Sequence, residues 1–239
     1  MPVPGAGPAP TTPIGFLKEH PKSKARVRKV QASIAEGSPV AELGPLLLSH
    51  DKDLVRAAAQ IAAEVGDSEP VLLDLCRVLG HRDAQARAIA LQAIDNSKTS
   101  LVVVEAEALP LIEDKNKEVA VAAIEHLAGL DEKERGAAAA ALPGTDIAGH
   151  ITELMDVARP RELKEALNGD DTLRARVAVA EVIRRADKGE ALLYEARSKK
   201  DAAVSGAALA ALRAMFLTGD LKPRARIDSL WLKKARLRS

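Results

Sequence analysis

Histidine, cysteine and clustered charges are the side chains of this chain that could do chemistry, and their spacing limits which chemistry that is. Three of the five histidines, His20, His50 and His81, stand 30 and 31 residues apart at one point of a recurring unit. Helices stack ~8–10 Å apart, whereas metal ligands converge at ~2 Å on one ion. The row is therefore expected to be turn residues opening helices, with a pH-sensitive edge as the alternative. Cys76 sits in Leu72-Leu-Asp-Leu-Cys-Arg-Val-Leu79, flanked by apolar residues at helical spacing, and is expected to be a buried small hydrophobe. The sequence has no Gly-x-x-x-x-Gly-Lys-Ser/Thr, Gly-x-Gly-x-x-Gly, Gly-x-Ser-x-Gly or Cys-x-x-Cys. Its carboxylates are spread as helix charge pairs would be. No catalytic, cofactor-binding or metal-binding residue is assigned, and no cofactor is expected.

The elements that carry these side chains are helices. Of the 239 residues, 47% are apolar but only 2% aromatic, so the core must be built from Ala, Leu, Val and Ile. Such a core suits closely packed helices, for which Ala and Leu have the best propensity. A single cysteine excludes an internal disulfide and favours a reducing compartment. The first residues lack the basic and apolar regions of a signal peptide, and no apolar run approaches the ~18 residues of a membrane span. A cytoplasmic protein without a transmembrane segment is expected.

The helical units repeat. Residues 50–63 align with 81–94 at an offset of 31 residues, and a fixed period of this size marks a repeat architecture. One column reads Arg26, Arg56, Arg87, Ala120, Ala148, Arg176 and Ser205, and six residues earlier stand His20, His50, His81, Asp114, Leu142, Asp170 and Lys199. A step near 30 residues fits two helices and two turns. Each copy is thus a helical hairpin, and about seven copies fill residues 14–217.

The second helix of each hairpin is the better written, with apolar residues at i, i+3, i+4 and i+7 through 55–62, 119–127 and 175–183. First helices are expected over 40–49, 71–79, 101–112, 134–141, 161–167 and 190–198. Pro39, Pro70 and Pro160 mark starts, and Pro45 and Pro110 should bend the helices that hold them. Gly37, Gly66, Gly129, Gly169 and Gly189 fall where helices should stop. Residues 131–168, with Gly136 and five successive alanines, make the poorest copy. Residues 1–13, with five prolines and no charge, read as a flexible tail. Residues 218–239 read as a basic C-terminal capping helix, since a terminal repeat needs a cap.

An aspartate or its substitute followed six residues later by Val-Arg-x-x-Ala resembles the HEAT repeat, closest to the short bacterial, phycobilisome-lyase-like kind. The likeness covers about 200 residues, from His20 to Leu217. It implies an all-α superhelical solenoid in which the two columns stack between repeats and the second helices line a concave, partner-binding face. Asp170 with Arg176 matches both columns, while Arg26, Arg56 and Arg87 match the arginine column alone. Glu125-His126 reverses the His-Glu order by which HEAT-type hydroxylases bind iron, so that activity is set aside. The family hosts many functions, so the likeness defines an architecture.

Charge placement adds a second clue. The run Lys18 to Lys29 has six basic residues against Glu19, and Lys222 to Arg238 has seven against Asp228. In a chain of net charge +1, the residues between these ends carry −10. The C-terminal Trp231, Lys233, Lys234, Arg236 and Arg238 are candidates for gripping phosphates or an anionic membrane surface. The helical register turns Gln60, Glu64, Gln85, Gln92, Glu118, Glu125, Arg174, Glu181, Arg184 and Arg185 outward, as a strip for a partner. Lacking Tyr and Trp anchors, the strip would bind through charge and many small contacts.

The sequence thus reads as a non-enzymatic protein-binding scaffold or adaptor with a basic or mixed-charge partner of unknown identity. The alternative is a nucleic-acid-binding HEAT protein, either glycosylase-like or a backbone binder through the basic ends. A glycosylase channel needs basic walls and stacking aromatics, but the strip is acidic on balance and Phe16, Tyr194, Phe216 and Trp231 are the chain's aromatics. A chromophore-lyase subunit, implied by the family likeness, has no residue to carry it.

Overall fold

The computed structural model describes residues 18, 24–66, 68–97, 102–156 and 160–218. Their regular structure is entirely helical, with thirteen α-helices and three short 3-10 segments. The order is α1 Lys24–Ala35, α2 Gly44–Leu47, α3 Lys52–Val65, α4 Leu72–Leu79, α5 Ala84–Asn96, α6 Val102–Ala108 and α7 Lys117–Gly129. There follow α8 Glu132–Ala141, α9 Asp146–Asp156, α10 Pro160–Asn168, α11 Thr172–Arg184, α12 Ala186–Ala196 and α13 Ala202–Thr218. Among the described residues, no helix is long and apolar enough to cross a membrane.

Short helices alternate with long ones because the prolines act more sharply than a bend. Pro45 falls in the first turn of α2, and the turn before it is the 3-10 segment Val40–Leu43. Pro110 ends α6 at Ala108, and the chain continues as the 3-10 segment Leu109–Glu113. Proline lacks an N–H and its ring crowds the carbonyl of the preceding turn, so neither can continue a helix entered from before it, and each splits its segment. The long second helices begin cleanly instead. Asp51, Asp83, Asn116 and Asp171 each hold an extended backbone, and each side chain accepts a hydrogen bond from an N–H of the first turn. That satisfies a donor with no partner inside the helix and fixes where the helix starts.

The core is aliphatic and contains many alanines. Ile61, Leu75, Leu91, Ile124 and Leu127 are buried, while Ala58, Ala59 and Ala62 are sealed on α3 and let neighbouring backbones approach. Helix α3 packs on α5 and α5 on α7, giving successive second helices side by side. Beyond α7 the order changes. Helix α7 packs against both α11 and α13, whereas α8 and α9 pack on each other, α8 also on α6 and α9 also on α11. Gly206 permits the α7–α13 approach, since a Cβ there would lie 2.9 Å from Cγ2 of Val121. Gly189, expected to stop a helix, lies inside α12. Its added Cβ would meet the carbonyl oxygen of Val182 at 2.7 Å, so a close crossing and not a helix end calls for glycine.

Candidate partner-binding surface

Three arginines of the column, Arg56, Arg87 and Arg176, each tie their helix to the chain just ahead of a later one. Arg56 on α3 forks onto Asp83 ahead of α5, with Nε donating to Oδ1 at 2.7 Å. Arg87 on α5 forks onto Asp114 at 2.7–3.0 Å and also donates to the carbonyl of His81 at 2.8 Å. Arg176 on α11 forks onto Asp201 at 2.8 and 3.2 Å and donates to the carbonyl of Ile112 at 2.6 Å. Asp83 and Asp201 simultaneously cap the helices they precede, at 2.8–3.1 Å. A carboxylate has enough lone pairs for both tasks, and a guanidinium matches its geometry bidentately. The hydrogen bond from Arg56 heads the causes that hold the Asp83 carboxyl at a pKa of about 2. Asp170, aligned with the aspartate column, is exposed, and Arg176 turns to the following hairpin instead. The acidic partner stands 27 residues after Arg56 and after Arg87, and 25 residues after Arg176.

A second cluster was not foreseen. His126, buried on α7, places Nδ1 2.5 Å from Asp95 on α5 and Nε2 2.6 Å from the buried Glu105 on α6. With a carboxylate at each ring nitrogen, both nitrogens act as donors, so the ring is an imidazolium. Burial alone would lower its pKa, but the two hydrogen bonds and the two negative charges outweigh this and raise it to about 9. Three helices are thereby fixed around one cation.

Glu181 corrects an expectation. Assigned to the outward strip, it is buried at 3% exposure and receives three arginines. The equally buried Arg135 of α8 pairs with it, Arg184 donates at 2.5 and 3.0 Å, and Arg185 completes the set. Burial disfavours its charge, yet these arginines hold the carboxyl below its usual range. Hairpin α8–α9 covers this part of α11, so the register that points outward on α5 points into protein here. Arg184 and Arg185 are thus committed to Glu181, and Arg174 to Glu153 of α9 at 2.5 Å.

The other six strip residues come together. Gln85, Gln92, Glu118 and Glu125 line a cleft of about 810 Å³ between α5 and α7, floored by Ala88, Ile89 and Ala122. Gln60 and Glu64 line an adjoining cleft of about 500 Å³ between α3 and α5, reached also by Arg28 of α1. Gln85, Ile89 and Arg56 belong to both, so the clefts form one trough across the second helices. Its far wall is acidic. Asp83 is matched by Arg56 and Asp95 by His126, while Glu118 and Glu125 have no ion-pair partner among the described residues. Confinement in the cleft, with Asp95 nearby, raises the pKa of the exposed Glu125.

His50 and His81 line one cleft at the turn edge, as their shared repeat position implies. The Nδ1 of His81 accepts from the Asp83 N–H at 3.1 Å, a turn-stabilising role. Cys76 is buried, and burial is the leading cause raising its thiol pKa to about 11. Among the described residues, no group of three or more His, Cys, Asp or Glu is arranged to hold a metal. His20, the tail 1–13, and Trp231, Lys233, Lys234, Arg236 and Arg238 lie outside the described residues.

The chain matches no family model, no curated protein and no solved structure. What it does must therefore be argued from its own surface.

Proposed function

We propose that this chain is a non-enzymatic, HEAT-like solenoid whose second helices form a binding trough for another protein, making it a cytoplasmic scaffold or adaptor. The observation that carries the reading is the convergence of six outward-turned polar residues from α3, α5 and α7 on one continuous trough. Such a surface is long and shallow, and the side-by-side packing of α3 on α5 and α5 on α7 supports it. Ala88, Ile89 and Ala122 give the floor apolar area at little side-chain entropy cost. Glu118 and Glu125 supply negative charge that selects a basic or mixed-charge partner and speeds its approach. The partner is a protein segment presenting Lys or Arg beside small apolar residues.

The test is capture from source lysate on the tagged full-length chain, with and without nuclease, beside the E118K/E125K variant. A discrete protein that survives nuclease and is lost in the variant is the expected result. A catch that disappears with nuclease would transfer the function to the basic ends, and one indifferent to charge reversal would remove the trough.

A further inference from the structure

We propose that the basic C-terminal segment, residues 219–239, docks in the acidic α5–α7 cleft of its own chain and so occupies the partner surface until a partner displaces it. The inference rests on reading this cleft as a binding surface, and three independent features lead to this occupant. The first is charge. The cleft exposes Glu118 and Glu125 without ion-pair partners among the described residues, while residues 219–239 hold seven Lys and Arg against Asp220 and Asp228. Glu118, Glu125 and Asp95 line the same cleft, so a cation entering it meets a concentration of negative charge. The raised pKa of Glu125 comes from its partial desolvation in the cleft and then from the negative charge of Asp95.

The second feature is apolar complementarity. Ala88, Ile89 and Ala122 are only half-buried on the cleft floor. The C-terminal segment brings Ile227, Leu230, Trp231 and Leu232 immediately before Lys233 and Lys234, an apolar group with cations beside it. An alanine floor between two helices leaves room for an inserted side chain, and an indole would bury the largest area there.

The third feature is reach. Helix α13 touches α7 where Gly206 meets Val121, a residue lying between Glu118 and Glu125 in sequence. From Gly206 the helix runs only about 18 Å further to Thr218, at 1.5 Å per residue. The 21 residues beyond it extend to at most about 70 Å. The tether therefore delivers the segment to the cleft at an effective concentration on the order of millimolar. A partner must compete with that, so the segment sets a threshold for binding.

Trp231 is the sole tryptophan, so its fluorescence reads the segment in the unmodified full-length chain. Emission and acrylamide quenching should be compared between wild type and E118K/E125K, at low and high salt. Both glutamates are exposed, so their charge reversal should leave the helical fold intact, lowering the melting temperature by a few degrees at most as Glu118 leaves the first turn of α7 and the segment is released; circular dichroism checks this. In wild type at low salt, Trp231 should be shielded and blue-shifted. Salt or the double variant should raise its quenching several-fold and move emission to the red. A hundredfold dilution should change nothing if docking is within one chain. A Trp231 that is freely quenched from the start would overturn the proposal, as would shielding that ignores charge reversal. Shielding that fades on dilution would also overturn it and assign the cleft to a second copy. If lysate capture fails while Trp231 responds as expected, the adaptor reading falls and the docking stands.

Discussion

Two parts of the molecule use charged side chains in opposite ways. Between α3 and α7, Arg56 and Arg87 form half-buried forks to Asp83 and Asp114, each spanning 27 residues and repeating with the hairpins. Between α8 and α11, Arg135 and Glu181 are sealed inside protein, span 46 residues and recur nowhere else among the described residues. The periodic forks sit at the rim of each interface, where both ions keep some water. The sealed pair loses nearly all of its hydration, so its cost is met only while all three arginines converge on the one carboxylate.

The largest effect should come from breaking the singular pair. Glu181→Ala strands Arg135 in the interior and should cost about 3–5 kcal/mol in urea unfolding. The double change Arg135→Met with Glu181→Leu should recover most of that loss, because no ion is then buried alone. A Glu181→Ala variant as stable as wild type would make the α8–α11 region as tolerant as the repeats.

Next in size is the buried imidazolium. The folded pKa of His126 is about 9, above the ordinary value near 6.5, so its contribution is fully present below pH ~6.5 and lost as pH rises through about 9. At ~1.36 kcal/mol per pH unit this amounts to roughly 3 kcal/mol. Urea midpoints measured between about pH 6 and about pH 10 should fall accordingly, and His126→Gln should flatten that part of the curve. An equal fall in wild type and variant would mean that other groups carry it.

The forks should give smaller effects. Arg87→Ala should lower stability by about 2 kcal/mol, because it leaves Asp114 without its bidentate donor. Gln92→Ala, on the exposed face of the same helix, should stay within about 0.5 kcal/mol. Equal melting temperatures for the two would contradict the register of α5. Arg87→Lys should fall between them, since an ammonium cannot reproduce the planar fork.

The features that recur were readable, and those that do not were missed. The apolar stripe on each second helix and the arginine column both follow from a step near 30 residues, and most outward positions on α3, α5 and α7 follow from the same register. Glu181 was misplaced because a repeat register carries no information about hairpin α8–α9, which folds over that face of α11. Its sequence nevertheless held a signal. Glu181 follows Ala178 by three residues and Val177 by four, all buried. His126 likewise stands three after Ala123 and seven after Val119, and Arg135 stands three before Ala138. A charged residue on an apolar stripe announces a buried partner of opposite sign. The partner itself stays hidden, because pairing across 21 to 46 residues depends on which helices come to lie together.

The most direct test of the trough as the binding surface is site-specific photo-crosslinking in source lysate. One photoreactive residue replaces Gln92 in the α5–α7 cleft, and a control replaces the highly exposed Arg161 on α10. The account predicts a discrete crosslinked protein from position 92 that resists nuclease, disappears with E118K/E125K and is absent from position 161. The same product from both positions, or none from position 92, would contradict it.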